Sequence, residues 1–407
     1  MMQIEFVKLL IIFLAILGFV LMKQGLGKAI TVAVICTVVL FRIPPGTAAK
    51  LAFHSVYEKD TLLVIGSFLM VTFIQRVMEN RKLLERAELA LERLSGNRRL
   101  VCILAPVIIG FLPSAGAVNI CGEIVNDTVG DDLTIAEKTF VTSYYRHISE
   151  SFSPTYNAIL LALAITGVST GAFVLCMIPL VVVLLVLGYI FYLRKIDKNY
   201  STGREGYNRS EELKQLLYCF WPLVACIVVV TALNIPVIQV LPVIILIAGF
   251  VYHLSGKEII QFARSSFEKR IIVNTIILMI FKNILTYTGV IETLPSLFEG
   301  SALPDFVAFG LIMLFGTIVS GANAMIVLLV PLAFSTIPGA GTALLVFLMS
   351  VSYAAMQISP THICLAIITE YFHESWVNLI RKTLPVIVIF LVILHAYYLL
   401  LVQVFHI

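Results

Sequence analysis

The 407 residues are 60% apolar and 13% charged, with a mean hydropathy of +1.01, which excludes an ordinary soluble domain and makes the lipid bilayer the solvent. A formal net charge of +4 does not point to nucleic acid, because the basic residues sit in loops between apolar runs rather than on one face. The seven cysteines are scattered through apolar runs with no Cys-x-x-Cys pair, so they read as small buried thiols and imply neither a disulfide framework nor a zinc site.

Taken in chain order, the apolar runs 8–22, 29–43 and 62–77 each approach the ~20 residues that a spanning helix needs. The first has no basic cluster ahead of it and no small-residue cleavage site behind it, so it reads as a retained helix. Next, 80–95 sets Leu83, Leu84, Ala87, Leu91 and Leu94 on one helical face and Glu85, Arg86, Glu88, Glu92 and Arg93 around the other. That pattern predicts an amphipathic helix lying along the membrane interface. The stretch 100–125 is apolar but holds Pro113-Ser114-Ala115-Gly116-Ala117 at its centre, which suits a re-entrant hairpin turning back halfway across. Spans follow over 134–194, with Pro154 interrupting one of them, and then the polar stretch 197–214 with Ser201, Gly203 and Gly206 reads as a linker. The second half continues with apolar runs at 216–233 and 271–285, a second Gly- and Ser-punctuated stretch at 304–334 centred on Ser320-Gly321-Ala322-Asn323-Ala324, and spans over 341–404. About ten crossings result.

The halves repeat at a fixed offset. Adding 206 carries Arg76 onto Lys282, Gly110 onto Gly316, Ser114 onto Ser320 and Pro179 onto Pro385, and Ser153-Pro154-Thr155 onto Ser359-Pro360-Thr361. The predicted fold is therefore all-α and polytopic, with two five-span repeats, each holding a re-entrant hairpin and a Pro-interrupted helix. Repeat 1 covers 1–196, with scaffold spans in 1–78, the interfacial helix at 80–95, a hairpin at 100–125 and transport spans at 134–194. After the cytoplasmic linker, repeat 2 covers 215–407, with scaffold spans in 215–288, a hairpin at 304–334 and transport spans at 341–404. An odd number of crossings per copy makes the copies inverted. Basic residues test this independently, since cytoplasmic loops should carry them. Arg76 to Arg99, the linker, Lys257 to Arg270 and Arg381-Lys382 all fall inside if both termini are extracytoplasmic.

Pro154 and Pro360 should break their helices in mid-membrane and free carbonyls, helix ends and the hydroxyls of Ser153, Thr155, Ser359 and Thr361 for a cation or a carboxylate. Arg146, His147 and Glu150 precede the first break by one to two turns, and helical spacing sets Arg146 and Glu150 on one face, as an ion pair or as part of a substrate site. The second copy has Ser352, Tyr353 and Met356 there, an asymmetry that suits a substrate site better than a scaffold. The substrate-binding candidates are Ser114, Gly116, Asn119, Arg146, His147, Ser153, Thr155, Asn157, Ser320, Asn323, Ser359, Thr361 and His362. Ser114, Ser153, Thr155, Ser320, Ser359, Thr361, Glu123 and Glu150 are coupling-ion candidates, with Na+ as the sole metal considered and no other cofactor.

Gly110-Phe111-Leu112-Pro113-Ser114, and Tyr145-Arg146-His147 followed by Ser153-Pro154-Thr155, give the chain a pattern that resembles the ion transporter superfamily. Within it, the chain is most similar to a prokaryotic integral membrane family of unknown function numbered 401. The resemblance covers nearly the whole chain. It implies a homodimer in which spans one to three and six to eight form a scaffold while the hairpins and remaining spans move as an elevator. The hairpin tips depart from the Ser-Asn-Thr of the sodium/dicarboxylate branch, so sodium coupling and dicarboxylate specificity do not carry over.

The expected function is secondary transport of a small organic anion, such as a carboxylate, across the inner (plasma) membrane, coupled to Na+ or H+. No Walker motif is present to use ATP. An intramembrane protease or lipid-modifying enzyme is the alternative from another class, but there is no Gly-x-Ser-x-Gly and no His-Glu-x-x-His. An ion channel is the third reading. The expected partners are the anionic solute, the lipid bilayer and a second copy of the chain.

Overall fold

The computed structural model describes residues 7–405 apart from 9–10, 13, 17, 20–21, 23–25, 95–96, 112–114, 199–207, 291–302 and 361, and only the backbone of 26, 84, 85, 88, 92 and 115–117. Among the described residues the protein is all helical, with 18 α-helices and no strand. The first half contains α1 (Leu26–Leu40), α2 (Pro45–Tyr57), α3 (Lys59–Asn80), α4 (Leu83–Leu94), α5 (Arg98–Ile109), α6 (Ala115–Val129), α7 (Ile135–Phe152), α8 (Asn157–Thr166) and α9 (Thr170–Phe191). The second contains α10 (Arg209–Leu233), α11 (Val237–Val251), α12 (Gly256–Ser266), α13 (Lys269–Tyr287), α14 (Asp305–Ser320), α15 (Ala322–Thr336), α16 (Thr342–Met356), α17 (Ile363–Tyr371) and α18 (Trp376–Gln403).

Five of these helices, α3, α9, α10, α13 and α18, are long and apolar enough to cross a membrane. On α9 the outward-facing side chains Leu175, Ile178, Val182, Val186 and Ile190 form one exposed apolar stripe at helical spacing. Water would penalise such a stripe and hydrocarbon would not, so several apolar helices of this kind mark a membrane protein. The count is lower than the ten apolar runs because several runs fold as shorter helices of 15 or 16 residues, among them α11, α14, α15 and α16.

The element order recurs. α8 begins at Asn157 and α17 at Ile363, and α9 begins at Thr170 and α18 at Trp376, both 206 apart. The packing recurs as well. α3 packs on α11 and α12 while its counterpart α13 packs on α1 and α2; α8 packs on α15 while α17 packs on α6. Every one of these contacts maps onto another when the halves are exchanged. Each half also contains two helices joined by a short connector and packed on each other, α5 with α6 and α14 with α15.

Local chemistry sets the breaks. α7 opens with a capping box in which Thr134 and Glu137 satisfy each other's backbone N–H groups, and it stops at Ser153, held extended (φ −69°, ψ 121°) by the steric demand of Pro154. Between α14 and α15 a single residue turns the chain: Gly321 has φ 83° and ψ 159°, a region open essentially to glycine. Pro179 and Pro385, by contrast, stay inside the continuous helices α9 and α18.

The amphipathic α4 covers its apolar face with protein. Leu83, Ala87 and Leu91 are buried in a cluster with Cys219, Phe220 and Leu223 of α10. Nearby, basic groups that the charge pattern assigns to one side of the membrane meet: Lys195 and Lys382 both reach the Glu137 carboxylate, at 2.7 and 3.3 Å. Arg99 donates to the carbonyls of Ile196 and Arg194.

Candidate functional site

α7 is buried on every face from Thr139 through Ser149, although much of that stretch is polar. Most of its hydroxyls satisfy themselves locally: Thr139 donates to the Ile135 carbonyl, Thr142 to Lys138, Ser149 to Arg146 and Ser151 to Ile148. The ionisable groups also reach beyond their own helix, and they determine the site. Arg146 is 1% exposed and pairs with Glu150 at 3.2 Å, the i,i+4 contact expected of one helical face. Glu150 Oε1 also lies 3.0 Å from the Tyr156 hydroxyl, which in turn reaches the Gly110 carbonyl. Gly110 permits α5 to pack this closely on α7, because a Cβ there would collide with the Arg146 carbonyl and the Ser149 hydroxyl.

The second break lies alongside the first. Arg146 donates to Cys364 Sγ at 3.6 Å, and His147 Nε2 is 3.0 Å from His362 Nε2. His147 Nδ1 lies 2.6 Å from the Ser143 carbonyl, and a carbonyl only accepts, so that nitrogen carries the proton and Nε2 offers a lone pair. Ser359 donates to the Ile318 carbonyl at 2.7 Å, tying this break to the end of α14. Within the first break the Ser153 and Thr155 hydroxyls are 2.8 Å apart.

A cavity of about 440 Å³ opens where these segments meet. Its walls include Arg146 and Glu150, then Thr155, Tyr156, Asn157 and Ala158 of the first break, Gly321, Ala322 and Asn323 of the α14–α15 turn, and Ser359, His362, Ile363 and Cys364 of the second break. Three helices, α8, α15 and α17, therefore start at its surface. In none of the three does the N-cap side chain accept a first-turn N–H: Tyr156 and His362 make no side-chain cap bond, and Gly321 has no side chain to offer. Their first-turn N–H groups and positive dipole ends converge with a guanidinium, an arrangement suited to an anion.

Of the residues singled out from the sequence, Arg146, Glu150, Thr155, Asn157, Asn323, Ser359 and His362 line the cavity. His147 and Ser153 are buried just behind it, each bonded to a residue of the breaks. Ser320 is half-buried and donates back to the Gly316 carbonyl at 2.7 Å, away from the lining. Asn119 and Glu123 are exposed on α6 and are not among the lining residues. Ser114 and Thr361 lie outside the described residues, and of Gly116 only the backbone is described. Tyr156 and Cys364 were not singled out. Tyr156 takes in the first Ser-Pro-Thr the place that His362 takes in the second, which is the one sequence signal that would have found it.

Residues 6–402 match the model of the family described as Protein of unknown function (DUF401), so the chain belongs to that family over nearly its whole length. No curated protein matches it.

Proposed function

We propose that this member of the DUF401 family is a secondary carrier that moves a small organic anion of carboxylate type across the inner membrane, coupled to Na+ or H+ rather than to ATP. The observation that carries the reading is the cavity: three uncapped helix N-termini and the Arg146 guanidinium share one wall set, between two broken helices from opposite halves of the chain. Each N-terminus favours an anion by about 0.3–1 kcal/mol when exposed and up to ~2 kcal/mol when partly buried. A guanidinium adds charge-assisted, two-point recognition of a carboxylate.

Transport, rather than storage or catalysis, is supported by the symmetry. The contacts exchange between halves, and a site at the interface of two related, discontinuous helices is the arrangement by which one cavity is exposed alternately to either side. The copies are inverted in this reading, both termini are extracytoplasmic, and α5–α6 and α14–α15 are re-entrant hairpins moving with α7–α9 and α16–α18 against a dimeric scaffold. This part follows the resemblance to the ion transporter superfamily. Thr155 and Ser359 supply hydroxyl ligands for a coupling Na+, and the His147–His362 pair offers the route for a proton.

Uptake of radiolabelled mono- and dicarboxylates into proteoliposomes, under separately imposed Na+ and pH gradients, tests the reading. Saturable uptake with counterflow, driven by one of the two gradients, is expected. Flux without saturation or counterflow identifies a channel and overturns the carrier. Single cysteines at Ser201 and Ala302 should label from opposite sides of the membrane; labelling from the same side removes the inversion.

A further inference from the structure

The ring nitrogens of His147 and His362 and the sulfur of Cys364 all lie within 4.8 Å of one another, brought together from positions more than 200 apart in the chain. We infer that these three side chains form a binding site for a borderline-soft transition-metal cation such as Zn2+, spanning the two broken helices at the back of the cavity.

Three features of the geometry point to a metal rather than to a fortuitous cluster. Two imidazole Nε2 atoms 3.0 Å apart sit close to the separation of about 3.3 Å that two nitrogens adopt around a tetrahedral Zn2+ with bonds near 2.0–2.1 Å. His147 already has the outer contact that metal-bound imidazoles use. Its Nδ1–H is held by the Ser143 carbonyl at 2.6 Å, which fixes the ring and aims the Nε2 lone pair at His362. The third donor is sulfur, and a His2Cys set selects Zn2+ or copper over Mg2+ and Ca2+, which prefer oxygen. Closing the site needs the His362 proton to sit on Nδ1 so that Nε2 can ligate, the Cys364 thiol to release its proton to solvent as the metal binds, and Sγ to move by about an ångström, within reach of a side-chain rotation.

The location adds a consequence. His362 and Cys364 line the cavity while His147 is fully buried behind them, so the three protein ligands sit on one side of the ion and a fourth position faces the open volume. That is the arrangement of a site that keeps an exchangeable ligand. A divalent ion held by one thiolate and two neutral imidazoles retains one positive charge. The neighbouring Arg146–Glu150 pair is neutral overall, so the ion would reinforce the attraction for an anion in the same cavity. Metal occupancy also clamps α7 to the first turn of α17, across the contact between the two halves. The inference is separate from the carrier reading, since it concerns donor atoms and not solute movement; while the metal is bound, the His147–His362 pair is no proton route and coupling falls to Na+.

The full-length chain, purified in detergent with chelator and then freed of it, is titrated with Co2+ as an optical substitute for Zn2+. Saturation at one equivalent is expected, with visible ligand-field bands and a near-ultraviolet sulfur-to-metal charge-transfer band, all displaced by Zn2+. Cys364→Ser should abolish the charge-transfer band, and His147→Gln and His362→Gln should each weaken binding at least ~10-fold. Cys226→Ser, in α10 and remote from the cluster, should leave the spectrum unchanged. His362 and Cys364 face the cavity, so their variants test the site even if His147→Gln perturbs packing; gel filtration identifies any variant that does not fold. Absence of saturable Co2+ or Zn2+ binding overturns the proposal, as does a charge-transfer band that survives Cys364→Ser or an affinity indifferent to His362→Gln.

Discussion

α7 and α16 occupy corresponding places in the two halves, and both are buried on every face, yet they are chemically opposite. From Ala343 to Met349 α16 is wholly apolar, and its few polar groups pair modestly, as Ser352 does with Thr317 at 3.4 Å. Over the equivalent stretch α7 carries Thr139, Thr142 and Ser143, then Arg146, His147 and Glu150. Since the two sequences produce corresponding helices that end at or shortly before their Ser-Pro-Thr and pack on corresponding neighbours, the fold does not require the charges. Burying them is costly, and α16 demonstrates that the cost is avoidable at this position. In the proposed reading, the charged binding groups were therefore placed for function and not for folding, and they stand in one half only.

The largest effect that would test this asymmetry is at Arg146. Arg146→Ala leaves Glu150 buried without its ion-pair partner, which typically costs about 3–5 kcal/mol, and carboxylate uptake should fall to background. Arg146→Lys keeps the charge and separates the roles: thermal stability in detergent should largely be retained while anion affinity drops, because lysine lacks the planar two-point geometry. Full uptake by either variant removes Arg146 from the site and with it the meaning of the asymmetry.

A second pair of variants compares the helix pairs α5–α6 and α14–α15 at equivalent glycines. A Cβ on Gly110 meets the Arg146 backbone carbonyl, which cannot rotate away, so Gly110→Ala should cost the upper end of about 1–3 kcal/mol. The nearest atoms to a Cβ on Gly316 are those of the flexible Met325 side chain, which can re-pack, so Gly316→Ala should be within ~1 kcal/mol of wild type. Paired melting curves measure the gap, and equal losses would show that the first half is not packed more tightly around its charged cluster. Tyr156→Phe comes next. Removing the hydroxyl that reaches Glu150 and Gly110 should cost about 1–3 kcal/mol, as for other buried groups left unsatisfied, and should raise the substrate concentration for half-maximal uptake more than it lowers the maximum.

How much of this was legible beforehand follows from the physics of each signal. Breaks at Ser153 and Ser359 could be read because proline acts on its own backbone, within the sequence that contains it. The same rule did not distinguish Pro179 and Pro385, whose helices run on with apolar turns to either side. Hydropathy located the apolar runs but could not see that several would fold as short helices, since a window averages across a break. Among the site residues, Arg146 and Glu150 were recognisable by local i,i+4 spacing. The meeting of His147 with His362 and of Arg146 with Cys364 was not, because only tertiary packing joins residues so distant in the chain. Asn119 and Glu123 illustrate the opposite limit: polar groups in an apolar stretch look alike in sequence whether they face a cavity or, as on α6, the outside. Ser320 shows a third, for a hydroxyl on a helix can always satisfy itself on the carbonyl four residues back.

The smallest expected effect gives the most discriminating control, because it concerns the residue that stands in the second half where Arg146 stands in the first. Ser352 is buried at 2% exposure, contributes one long hydroxyl contact to Thr317 and does not line the cavity. Ser352→Ala should therefore remove at most about 1 kcal/mol of stability, the net worth of an ordinary hydrogen bond, and alanine's higher helix propensity returns part of it. Carboxylate affinity and the dependence of uptake on Na+ or pH should be those of the wild type. Initial rates at several substrate concentrations, read beside the melting temperature, check both expectations in one preparation. If uptake instead fell as far as in Arg146→Ala with stability intact, the two helices would contribute equally to recognition, and the site would have to be drawn as symmetric, with the charges of α7 demoted to packing.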